Sequence, residues 1–196
     1  MSTLSLLSPN RRHLIGSKAL LQILHHIQTG RYRHEVQQVR DFCHHHPELA
    51  DDWRHDQLPW YAPSGRFKKR GPLWELVRYS HHLFLEWSLR SDRERHWLRD
   101  QLRFNPFVLA CFRNAEGSGL CAIVSTDGSA DEHGAYLRQL HTYFHAQTGL
   151  HPHPDRGLPL EYCCRLSWDP DLHYRAEAQT FRLRQAQNTP RGEGGC

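Results

Sequence analysis

Long apolar runs are missing: no stretch of the 196-residue chain approaches the length needed to span a bilayer. The opening segment MSTLSLLSPNRRHL has no early basic region and too short an apolar run for a secretory signal. A cysteine framework is missing as well. The six cysteines (Cys43, Cys111, Cys121, Cys163, Cys164 and Cys196) have no regular spacing, and two are adjacent, which suits no ordinary structural bridge. A cytoplasmic protein with reduced thiols and no membrane partner is therefore expected. Metal-site spacing is equally scarce. The 17 histidines include His44-His45-His46 and His151-Pro152-His153, yet only Cys43 adjoins a set, and no C-x₂-C with H-x₃-H accompanies them. No metal is expected. No cysteine is marked as an activated nucleophile, and there are no internal repeats.

Mean hydropathy is −0.74 and 38 % of residues are hydrophobic, polar values for a globular protein. An aromatic content of 11 %, with six Trp, argues against disorder. The length suits one well-buried domain. A formal charge of +4 that rises as histidines protonate suits a polyanionic partner without requiring one.

Along the chain, Ser17 to Gln28 has Leu20, Leu21, Ile23, Leu24 and Ile27 at helical spacing, with Ser17 as N-cap and Gly30 as stop. Tyr32 to His45 reads as a second helix with Tyr32, Val36, Val39 and Phe42 on one face. A polar connection from Asp51 to Pro63 and a Ser64-Gly65 turn lead into the basic segment Arg66, Lys68, Lys69, Arg70. Leu83 to Leu85 reads as a buried strand, Asp92 to Phe104 as a helix with Trp97, Leu98 and Leu102 inward. Val108 to Arg113 and Leu120 to Ser125 form a hairpin around a glycine-rich turn. Ala130 to Thr148 is a long helix with Tyr136, Leu137, Leu140, Tyr143 and Phe144 inward, followed by a strand over Leu160 to Trp168 and a short helix around Ala176 to Arg184. The order from Leu83 to Trp168 is βαββαβ-like, with a helical pair before it, which predicts an α+β fold over an antiparallel sheet. Three segments are expected: an N-terminal extension over 1–16, one domain over 17–185, and a flexible tail over 186–196.

Several residues stand where chemistry is carried. Glu86 ends the apolar strand, and an ordinary strand-end carboxylate is its bland reading. Gly117-Ser118-Gly119 lets a backbone approach phosphates, with Arg113 beside it, although a glycine turn joining two strands is also simply a hairpin. The cluster Arg66, Lys68, Lys69, Arg70, with Trp60, Tyr61, Phe67 and Trp74, is the best nucleic-acid surface: cations track phosphates while aromatics stack on bases. Its alternative is a solvated loop with the aromatics in the core. Arg165 either contacts phosphate or pairs internally with Glu86, and the internal pair is expected.

Taken in order, several pieces resemble the VirE N-terminal and BT4734-like domains, relatives of the archaeo-eukaryotic primase fold. They are Gly30-Arg31-Tyr32 with a helix ending in Arg40, Leu58-Pro59, Pro63-Ser64-Gly65-Arg66-Phe67 with Arg70, and Ser80 with the strand to Glu86. Asn105-Pro106-Phe107-Val108, the Gly117-Ser118-Gly119-Leu120 turn, and Arg165-Leu166 with Asp169-Pro170-Asp171-Leu172 complete the set. The resemblance implies a primase-like (RRM-like) antiparallel sheet with packed helices. It also implies an Asp-X-Asp after the apolar strand, because carboxylates at i and i+2 share a face and together hold a divalent ion. Here Glu86 is followed at that spacing by Ser88. The lysine implied after Leu120 is Cys121, and Glu161 falls where a third acid belongs.

The expected function is therefore a non-catalytic, DNA- or RNA-binding accessory protein of a mobile-element, phage or defence system. It would act with a larger polymerase, reverse transcriptase or helicase and use no cofactor. Glu86, Ser88 and Glu161 would be vestigial. Binding would fall to Arg66, Lys68, Lys69, Arg70, Arg113, Gly117, Ser118, Gly119 and Arg165. Two alternatives remain open: a Mg²⁺-dependent primase or nucleotidyltransferase using Glu86, Glu161 and Asp169, and a protein-interaction subunit without nucleic-acid contact.

Overall fold

The computed structural model describes residues 2–46, 57–153 and 163–183. It begins with a hairpin, β1 (Thr3–Leu7) and β2 (Leu14–Ala19), followed by helices α1 (Leu20–Thr29) and α2 (Arg33–His45). Strand β3 (Trp60–Ala62) leads into β4 (Gly65–Arg70) and β5 (Leu73–Tyr79). Then come β6 (His82–Ser88), α3 (Asp92–Phe104), β7 (Val108–Arg113), β8 (Gly119–Ser125) and α4 (His133–Thr148), with the short strands β9 (Cys164–Arg165) and β10 (His173–Tyr174) last. The fold is mixed α+β, and every strand pair is antiparallel.

Two four-stranded sheets stack face to face. The central sheet has the order β10-β7-β8-β6, the second β2-β1-β3-β9, and β4-β5 is a separate two-stranded ribbon. Because β6 and β7 both run antiparallel to β8, they are parallel to each other, joined by α3 as a split β-α-β unit. Strand alternation then divides the core. Leu83, Leu85 and Trp87 of β6 pack with Leu98, Leu102, Leu137, Leu140 and Phe144 of α3 and α4. Phe84, on the opposite face, packs with Leu4, Ile23, Ile27, Tyr61, Phe112 and Cys164, so α1 and the second sheet cover that side.

Several elements differ from the sequence reading. Ser17 does not cap α1: it pairs with Ser5 in the β1–β2 ladder, and the helix starts at Leu20. The helical pair is thus preceded by a hairpin whose β1 is buried on both faces, since the ribbon covers the side turned away from the core. Strand β9 joins the second sheet, pairing Trp60 with Arg165, so the last strand of the βαββαβ order leaves the central sheet. Residues 176–183 form no helix. Their amides bond elsewhere, Gln179 N–H to Pro106 O and Phe181 N–H to Ser125 O, and Phe181 stacks edge-on against Phe107. Trp97, expected inward, is 42 % exposed. Leu160, Glu161 and the tail over 186–196 lie outside the described residues.

Candidate nucleic-acid interface

The basic segment is a strand. Arg66 to Arg70 lies in β4, which pairs with β5 across a turn at Gly71, whose φ of +61° suits glycine. The ribbon docks through Phe67, 2 % exposed, whose N–H donates to Ser5 Oγ on β1 at 2.8 Å. Gly65 is needed for that approach, because a Cβ there would lie 2.2 Å from the Arg78 carbonyl oxygen. With Phe67 turned in, Arg66, Lys68 and Arg70 alternate on the solvent side. Arg66 stands opposite Arg78, and Lys68 opposite Glu75.

Between Gly65 and Tyr79 the sequence carries five cations and one acid, Glu75. Lys68 and Arg70 share that acid at 3.4 Å each, and exposed pairs of this kind contribute little. Lys69 Nζ donates to Arg12 O at 2.8 Å, which joins the exposed Arg11 and Arg12 of the β1–β2 turn to the same surface. Of the four aromatics expected to stack on bases, Tyr61, Phe67 and Trp60 are buried, and Trp74 alone is half-exposed, opposite Lys69. The Gly71-Pro72 dipeptide between two runs with inward Phe67 and Leu76 was the available sign of the ribbon. It would have added Arg78.

The glycine turn closes on itself. Gly117 N–H donates to Asn114 O at 3.2 Å, and Gly119 N–H to Asn114 Oδ1 at 3.0 Å. Ser118 is exposed. Gly119 is required by packing, because a Cβ there would lie 1.9 Å from the Trp87 carbonyl oxygen. Arginine side chains crowd the turn: Gly117 O accepts from Arg113 Nε at 2.7 Å and Arg95 Nη1 at 3.3 Å.

Glu86 accepts from Asn114 Nδ2 at 3.0 Å, whereas Arg165 pairs with Glu116 and lies 4.5 Å from the Trp60 ring centroid. The expected Glu86–Arg165 pair is not formed, because the turn brings Asn114 to one and Glu116 to the other. Ser88 Oγ is bonded to His153 Nε2 at 2.8 Å. Asp169, 3 % exposed, accepts from Arg99 at 2.8 Å, from Arg113 N–H at 2.6 Å and from Asp171 N–H at 3.1 Å. Both of its oxygens are engaged by protein donors. One carboxylate and a bonded hydroxyl do not fit a Mg²⁺ ion, whose dehydration needs more opposing charge. Among the described residues no group of three or more His, Cys, Asp or Glu could hold a metal.

Three buried thiols are poorly suited to nucleophilic chemistry. Burial pushes Cys111 up to about 12 and raises Cys121 and Cys164, with the Glu86 carboxylate adding to the latter two. All three stay protonated at neutral pH, opposite to what a nucleophile requires.

These features define an α+β protein that presents five exposed cations on a ribbon laid over the second sheet. Residues 54–174, more than half of the chain, match the BT4734-like N-terminal domain. The chain belongs to that family. No curated protein and no solved structure gives a match. Among the described residues, no helix is long and apolar enough to cross a membrane.

Proposed function

We propose that the chain is a nucleic-acid-binding accessory domain of primase-like descent, related to VirE N-terminal domains, that works by binding rather than catalysis. The observation that carries this reading is the ribbon: Arg66, Lys68, Lys69, Arg70 and Arg78 against Glu75 alone, on an element anchored by Phe67. A two-stranded ribbon fits the major groove of a duplex, and its cations suit any phosphate backbone. The partner is DNA or RNA, presented together with a larger polymerase, reverse transcriptase or helicase in a mobile-element, phage or defence system. No cofactor is used, because Glu86 is bonded to Asn114 and Asp169 is engaged by Arg99.

Fluorescence anisotropy with labelled single- and double-stranded oligonucleotides tests the reading. Binding should weaken steeply between about 50 and 200 mM salt, as counter-ion release requires. Absence of binding in low salt would favour the protein-interaction alternative. Mg²⁺-dependent nucleotide incorporation that disappears in Glu86→Ala would favour the enzyme.

A further inference from the structure

The arginines around the Asn114–Gly119 turn fall into two groups. Arg95, Arg99 and Arg165 each have an acid, Asp92, Asp169 and Glu116 respectively. Arg40 and Arg113 have carbonyls instead. Arg40 donates from Nε to Ala115 O, and from Nη2 to Asn114 O at 3.1 Å and Trp168 O at 2.8 Å, while Arg113 donates from Nε to Gly117 O. Among the described residues, neither guanidinium forms an ion pair with a carboxylate. No acceptor among the described residues meets Arg40 Nη1 or either terminal nitrogen of Arg113.

The two guanidinium side chains flank the same turn. Gly117, at φ +81°, sits between the two side chains: a Cβ there would meet Arg113 Nη2 at 3.0 Å and Arg40 Nε at 3.1 Å. A third cation, the exposed Arg33, lies 4.5 Å from the Trp168 ring centroid, and Arg40 lies 5.8 Å from the same ring. Crowding is felt in the titration of the pair. Burial and then the charge of Arg113 lower Arg40 to about 10, and burial and then Arg95 lower Arg113. Asp169 and Glu116 offset part of this at Arg40, and Asp92 and Asp169 part of it at Arg113, but none is a direct ion-pair partner of either, so an arriving anion would relieve the remaining repulsion. Planar guanidinium forks match the oxygens of a phosphate.

We infer that Arg33, Arg40 and Arg113, set around Trp168 and Gly117, form a phosphate-binding site separate from the ribbon. The phosphate belongs either to a nucleic-acid strand or to a free nucleotide, and the first source rests on the nucleic-acid reading above. Isothermal titration of the full chain in Mg²⁺-free buffer with pyrophosphate, and separately with a single strand of about 12 nucleotides, tests the site. Arg113→Gln and Arg33→Gln are the variants; among the described residues the Arg33 guanidinium makes only a ring contact, so its replacement should leave the fold intact. Pyrophosphate should bind the wild type and lose about tenfold in affinity in each variant, the effect of one charge-assisted contact. The ribbon variant Lys68→Ala/Lys69→Ala/Arg70→Ala should bind it as the wild type does. Parallel loss of the oligonucleotide assigns a strand phosphate, and loss of pyrophosphate alone assigns a nucleotide. Absence of pyrophosphate binding, or equal binding by both arginine variants at unchanged melting temperature, overturns the site. The ribbon reading fails separately, if the triple variant binds the oligonucleotide normally.

Discussion

His82 stands at the start of β6, with one ring nitrogen bonded to Ser2 Oγ at 2.8 Å and the other to Ser125 Oγ at 3.3 Å. Burial, with a smaller contribution from His81, lowers its pKa from 6.5 to about 4. The folded protein therefore holds this ring neutral while the unfolded chain protonates it. Stability from this source is complete above pH 6.5 and is lost as pH falls toward 4, to the extent of about 3 kcal/mol. His26 and His173, also lowered by burial, act in the same direction. Urea unfolding at pH 7 and pH 4.5 should show the loss, and His82→Gln should show a shallower one. A His82→Gln profile as steep as wild type would assign the acid sensitivity to other groups. At this scale the sequence marked Glu86 but not its partner. Asn114 reaches Glu86 only because the turn folds back on its own side chain, a geometry with no signature in residue spacing.

Asp169 ties separate elements together, accepting from Arg99 on α3, from the Arg113 backbone on β7 and from Asp171 N–H in its own loop. Asp169→Asn keeps the shape but removes the charge beside a guanidinium, and should cost about 3 kcal/mol. Chemical denaturation measures this, and a loss within experimental error would show that Asp171, 3.7 Å from Arg99, suffices. Elements with strong internal periodicity were legible: α3 and β7 have the expected bounds, and α2 and α4 differ only near their starts. Those decided by partners were not. The segment Leu14–Ala19 becomes a strand because β1 lies beside it, and residues 176–183 stay extended because β8 and Pro106 accept their amides. The ribbon carries no clear strand pattern in the sequence, because its charges obscure the buried Phe67 and the half-buried Leu76 opposite it.

For the whole molecule, the order of elements points correctly to an α+β fold, and family membership agrees with the motif order between Leu58 and Leu172. Stacking of two sheets was not legible, because the pairing of β3 with β1 and β9 joins segments far apart in sequence. The arrangement leaves the ribbon as an outer layer, free to meet a partner without disturbing either core. Its cations are exposed, so their removal should alter binding while leaving stability nearly unchanged. The direct measurement is the salt dependence of oligonucleotide affinity for the wild type and for Lys68→Ala/Lys69→Ala/Arg70→Ala. The log–log slope should flatten by about 0.7 to 0.9 for each phosphate that the variant no longer neutralises, with affinity reduced for every sequence tested. An unchanged slope in a normally folded triple variant would contradict the ribbon as the binding surface.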